Sequence, residues 1–154
     1  MPTNRRIVLA SRPQGLPSAQ NFRIEEVPIP NAPDGGFVVR NHWLSLDPYM
    51  RGRMDAAKSY AKSVDIDEVM EGGTVGEVIA SRHDKFKVGE FVTGRFGWQL
   101  YTASDGTGAA KVDASAAPLS AYLGVLGMPG VTAWIGLLDI GQPKAGETVV
   151  VSAA

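Results

Sequence analysis

The stretch Asp47-Pro48-Tyr49-Met50-Arg51-Gly52-Arg53 brings a carboxylate, a phenol and two guanidinium groups close together. Asp-Pro favours a turn, because proline fixes its own φ and pushes the residue before it into extended conformations. Tyr49 can then be aimed into a cleft as a hydrogen-bond donor on the substrate side, the alternative being a ring packed at the surface. Arg51 and Arg53 present forks that match carboxylate or phosphate, although arginines so placed also brace their own loop. Asp47 is expected to pin that loop by accepting backbone N–H bonds. Trp98 and Tyr101 follow the turn Gly94-Arg95-Phe96-Gly97 and could line an apolar pocket or pack into the core. His42, beside Trp43, reads as a structural histidine, and His83, in a polar turn, as exposed. Glu25-Glu26 and the Asp65, Asp67 and Glu68 group lack an apolar setting that would separate their pKa values, so no acid–base chemistry is assigned to them.

These side chains must be positioned by short strands punctuated by glycine and proline. The spacing predicts strands over 6–9, 22–27, 37–46, 74–80, 91–93 and 98–102, consistent with a small barrel. In the third of these neither face is purely polar, which predicts burial on both sides for part of its length. Residues 55–67 are expected to form an irregular excursion over the barrel. After Pro118 the pattern becomes helical: 119–126, a break at Gly127-Met128-Pro129-Gly130, then 131–140 with Gly141 as its stop. The second helix is apolar nearly all round and is expected to be buried between layers, against a parallel strand over 148–152.

The chain has 154 residues, enough for one well-packed domain, with 44% hydrophobic and 20% charged residues. A net charge of -1 provides no field for nucleic acid or an anionic membrane. There is no cysteine, which excludes disulfides and thiolate metal sites, and two histidines are too few for zinc without carboxylate help. No apolar run reaches transmembrane length and the first residues lack the core of a secretion signal, so the expected compartment is the cytoplasm.

Three motifs carry a resemblance: 44–54, LSLDPYMRGRM; 126–134, LGMPGVTAW; and 143–151, PKAGETVVV. In this order and spacing they resemble the zinc-independent medium-chain dehydrogenase/reductases, in the branch of prostaglandin/leukotriene reductases, alkenal double-bond reductases and curcumin reductases. The likeness runs over essentially the whole chain. It implies a mainly β fold with short helices: a GroES-like, substrate-covering barrel over residues 1–118, then over 119–154 the crossing helices and first strand of a truncated Rossmann domain that binds NADP(H). The chain is expected to be the front part of a larger enzyme, inactive alone, because the glycine turn and helix that hold a pyrophosphate would follow Ala154.

The activity implied is NADPH-dependent reduction of the carbon–carbon double bond of an enone or enal. A quinone reductase and a non-catalytic GroES-like binding module are the alternatives. Aligned on Gly76 and Val78, the Gly-His-Glu triplet of zinc-dependent relatives falls on Glu71-Gly72-Gly73, so glycine replaces the histidine ligand and no zinc is expected. The expected substrate-side residues are Tyr49, Arg51 and Trp98. Those on the cofactor side are Pro48, Met128 and Thr132, with the methionine packing on the nicotinamide and the threonine hydroxyl meeting its carboxamide. Expected partners are a small-molecule enone, enal or quinone, with neither nucleic acid nor membrane. A homodimer of the intact protein is compatible with the resemblance.

Overall fold

The structure, a computed structural model, describes residues 3–56 and 61–152. Strands β1 (Thr3–Leu9) and β2 (Phe22–Pro28) form an antiparallel pair. The larger sheet contains β3 (Phe37–Leu44), β4 (Thr74–Ser81), β5 (Phe91–Gly94), β6 (Tyr101–Ser104) and β7 (Ala110–Val112). Its order is β6-β3-β4-β5-β7, with every pairing antiparallel.

The two sheets close on each other through β1, whose outer edge bonds irregular chain rather than a full strand. Ile7 N donates to Trp98 O at 2.8 Å, Leu100 N to Arg5 O at 3.0 Å and Met70 N to Ile7 O at 3.0 Å. Asn4 extends that seam with its side chain. It is buried, its amide nitrogen donates to Tyr101 O at 2.9 Å, and its Oδ1 accepts from Tyr101 N at 3.0 Å. A buried amide that satisfies both backbone groups of a neighbour replaces a ladder rung that β1 does not supply. The expected small barrel is therefore present, closed partly by irregular segments.

Apolar residues fill the interior in two clusters. Phe37, Val39, Val78, Phe86, Val92 and Phe96 form one, and Leu9, Met54, Val64 and Met70 the other, with Phe22 and Trp98 packed against it. Phe37, Val38 and Val39 are all buried, as expected for a strand covered on both faces at its start. Tight β3–β4 packing depends on Gly76: a Cβ there would lie 2.2 Å from Arg40 O.

Several expected elements differ. Trp98 to Leu100 serve the β1 seam, so β6 begins only at Tyr101. The edge strand β7 is too short to leave an alternating signal, and the small helix α1 (Tyr49–Arg53) stands where the Asp-Pro pair predicts only a turn. Leu119–Leu123 is a 3-10 helix instead of a longer α-helix. Helix α2 (Met128–Trp134) starts at the Gly-Met-Pro-Gly break, because proline is tolerated in the first turn where its missing N–H costs nothing. It continues as a π-helical segment, Ile135–Gly141, ended by Gln142 in the left-handed region at φ 46° and not by Gly141. His83 is packed against Phe37 and Phe86 rather than exposed. Part of the expected excursion, residues 57–60, lies outside the described residues. Beside it Val64 is buried, and its N–H donates to Arg53 O at 2.8 Å.

The largest correction concerns burial after residue 124. Trp134 is 65% exposed and Ile140 77% exposed, and residues 148–152 form no strand. Helix and strand propensities are present there, but a strand exists only with a hydrogen-bonded neighbour. An apolar helix is buried only by a facing layer, and no described residue supplies one.

Candidate functional site

Pro48 caps α1 with helical dihedrals (φ -57°, ψ -30°), and Met50 N donates to Asp47 O at 3.1 Å. The turn expected from Asp-Pro thus becomes one helical turn, which fixes the direction of each side chain. Met50 and Arg53 face inward and are buried, Arg51 faces a neighbouring loop, and Tyr49 stands at the mouth of a cavity of about 420 Å³. Asp47 acts differently from expectation. Its carboxylate accepts the Ser45 hydroxyl at 3.0 Å, whereas its backbone carbonyl closes the turn.

Beneath Tyr49 lies an ion pair. The Arg53 Nε donates to Glu71 Oε1, with the arginine side chain only 4% exposed. The guanidinium carbon is 5.6 Å from the centre of the Tyr49 ring, a cation–π distance. Arg53 therefore supports the tyrosine from below while Glu71 offsets its charge. Burial pushes the Tyr49 phenol above its ordinary pKa, the nearby Glu71 carboxylate adds to that, and Arg95 opposes it. The phenol remains a protonated donor at neutral pH.

The chain after residue 118 also lines the cavity: Tyr122 and Leu123 on the 3-10 helix, then Met128 and Pro129 at the start of α2. Met128 is 74% exposed at this rim. Thr132, one turn further along, donates its hydroxyl to Met128 O at 2.8 Å, leaving its oxygen lone pairs able to accept. Gly130 makes this junction possible, since a Cβ there would lie 1.7 Å from Val125 O.

Of the residues expected from sequence, Tyr49 and Met128 meet at one cavity, with Pro48 and Thr132 adjoining them in the chain. Arg51 braces: its Nε donates to Gly15 O at 2.8 Å and its Nη1 pairs with Asp55 at 2.6 Å. Trp98 lines a second cavity of about 320 Å³ with Trp43, Ile24 and Leu44. Sequence reasoning passed over Arg95, which lines the Tyr49 cavity, and Glu71. For Arg95 the signal was its place in the Gly-Arg-Phe-Gly turn. For Glu71 there was none, because an ion pair across 18 positions leaves no spacing pattern.

At Gly72, where the sequence reading above expects a glycine in place of a histidine ligand, a Cβ would lie 2.7 Å from Leu44 Cδ1 and 3.0 Å from the Trp98 indole, so a larger side chain would require these neighbours to shift. Among the described residues no helix is long and apolar enough to cross a membrane.

The chain belongs to the family described as the N-terminal domain of oxidoreductase, whose profile matches residues 5–112, within the zinc-independent medium-chain dehydrogenase/reductases. Its barrel is the GroES-like domain of those enzymes. Among individual relatives, it is 53% identical to the NADPH-dependent curcumin reductase of Escherichia coli (strain K12), covering 98% of this chain and 44% of that protein. It is 39% identical to the 2-alkenal reductase (NADP(+)-dependent) of Nicotiana tabacum, covering 99% and 46%. The crystal structure of CurA in complex with NADPH from Vibrio vulnificus superposes with a TM-score of 0.85 at 55% identity, covering 93% of this chain and 42% of that one. The chain thus spans less than half the length of these relatives.

Proposed function

We propose that the intact protein is an NADPH-dependent reductase that saturates the carbon–carbon double bond of α,β-unsaturated ketones or aldehydes without zinc. In this reading residues 1–118 cover the substrate and residues 119–154 begin the cofactor domain. The observation that carries it is the meeting of Tyr49 and Met128 at one cavity, the first from the barrel and the second from the chain after residue 118. Similarity to reductases of curcumin and alkenals supports the substrate class.

The residues on the α2 side fit a nicotinamide. Met128 offers an exposed, polarisable apolar surface to the cavity, and Thr132 keeps acceptor capacity for a carboxamide N–H. NADPH, when bound, supplies the hydride that adds to the β-carbon. Negative charge then develops on the carbonyl oxygen, and without a metal it must be met by hydrogen-bond donors. Tyr49 is one such donor, held by Arg53 and kept protonated by its surroundings, so it orients the carbonyl rather than acting as the sole acid. Pro48 sets the turn that aims it, and Met128 excludes water from the cofactor side.

The test is loss of nicotinamide absorbance when the intact protein is mixed with NADPH and an enone, an enal or a quinone. Reduction of enone and enal, with the product saturated at the former double bond, is expected. Turnover of the quinone alone would replace this reading with a quinone reductase, and turnover of none would leave a binding module.

A further inference from the structure

The Tyr49 cavity contains a positive charge that the fold does not use. Arg53 is committed to Glu71 and Arg51 to Asp55 and the Gly15 carbonyl. Arg95 is exposed, lines the cavity, and has no hydrogen bond or ion pair with any described residue. Its backbone is nevertheless well fixed. Gly94 before it closes β5, and Phe96 after it is buried in the larger core cluster. A Cβ on Gly94 would lie 2.6 Å from the Phe96 ring, so the turn is tightly packed around the arginine. The other charged residues lining this space are Arg53, paired with Glu71, and Asp47, whose carboxylate accepts the Ser45 hydroxyl and is not ion-paired with Arg95.

We infer that Arg95 is a specificity residue that recognises a carboxylate on the substrate, so that the preferred enones carry an acidic group at the end remote from the reacting carbonyl. This rests on the reductase reading above and narrows it. A guanidinium anchored at its backbone but free at its fork suits bidentate capture of a planar anion. The cavity, at about 420 Å³, lies in the range of small-molecule sites, with Tyr49 available for the carbonyl and Arg95 for the acid. A purely apolar pocket would favour the ester, because burying an unpaired carboxylate is costly, whereas a charge-assisted contact turns the preference toward the acid.

The test uses the intact protein with NADPH and two matched enones, an ω-carboxylate and its methyl ester. The expected ratio of kcat/KM, acid over ester, is about tenfold in the acid's favour, the size of one charge-assisted hydrogen bond. Arg95→Gln should bring it close to one, mainly through KM for the acid. Arg95→Lys should retain part of it, and added salt should erode it in the native protein. A ratio unchanged in Arg95→Gln overturns the inference. So does a rise in KM for NADPH that is equal with both substrates, which would assign the arginine to a cofactor phosphate. Calorimetry with the saturated keto acid and keto ester separates this from the parent reading. Acid preference that depends on Arg95 without turnover sinks the reductase and keeps the anion site, while turnover with no preference does the reverse.

Discussion

At Tyr49 the chemistry depends on what lies underneath the ring. Arg53 provides the cation–π contact and Glu71 removes most of its net charge, so the phenol is oriented without being driven to ionise. The raised pKa means the O–H is present at neutral pH and is lost only as pH rises past the ordinary value of 10.0. Reduction that depends on this donor should therefore have no Tyr49 limb between pH 7 and 9, roughly the range below an unperturbed tyrosine. Tyr49→Phe should lower kcat/KM about five- to tenfold, the weight of one neutral hydrogen bond, measurable in the same absorbance assay. Glu71→Gln takes away one cause of the upward shift, so the alkaline fall in rate should begin at lower pH. It also costs the buried Arg53 a charged partner, and because Glu71 is itself partly solvated the expected loss is about 2 kcal/mol in denaturant unfolding, below that for a fully buried pair. A Glu71→Gln protein with the native alkaline limb would show that the carboxylate does not act on the phenol.

At the level of elements, the site depends on how closely β3 and β4 approach, since β3 leads into the Tyr49 turn and β4 follows Glu71. Gly76 sets that approach, and Gly76→Ala should destabilise the protein by about 2 kcal/mol, because the added methyl meets the backbone carbonyl of Arg40, which cannot swing aside. A thermal midpoint equal to that of the unsubstituted protein would show that the strands can part without cost. The strands at 37–44 and 74–81 were readable because apolar residues occupy buried positions in each, whereas 22–28, none of whose residues is fully buried, was readable only as a run of β-forming residues between turn signals. Helix α1 was not, since five residues give no helical period. Trp98 misled because one aromatic residue in a β-like run fits a strand as well as a seam, and only the path of β1 decides between them. The Tyr49 side of the site was thus legible from local turn chemistry. Arg95 and Glu71 were not, because their roles arise from contacts between distant segments.

At the scale of the whole molecule, the distribution of apolar surface is uneven. The strands up to residue 112 enclose two packed clusters, whereas Val125, Met128, Val131, Trp134, Ile140 and Val149 to Val151 are each more than half exposed. Scattered apolar residues on a surface are ordinary, but this many in one short stretch of chain exceeds what a monomeric protein usually leaves to water. The 148–152 segment adds unpaired backbone N–H and C=O groups, which recruit another strand. The 154-residue chain expressed alone is therefore expected to self-associate, and to do so less in cold solution, because apolar association weakens on cooling. Charges placed where no described residue packs, Trp134→Lys with Ile140→Lys, should shift its sedimentation toward the monomer while leaving the β-sheet circular dichroism unchanged. In a longer protein whose cofactor domain covers this face, the same pair would bury two lysines and should reduce folded yield instead. Opposite signs from one pair of substitutions in the two lengths of chain would identify the face as an internal interface. Equal tolerance in both would mean that it is left to solvent.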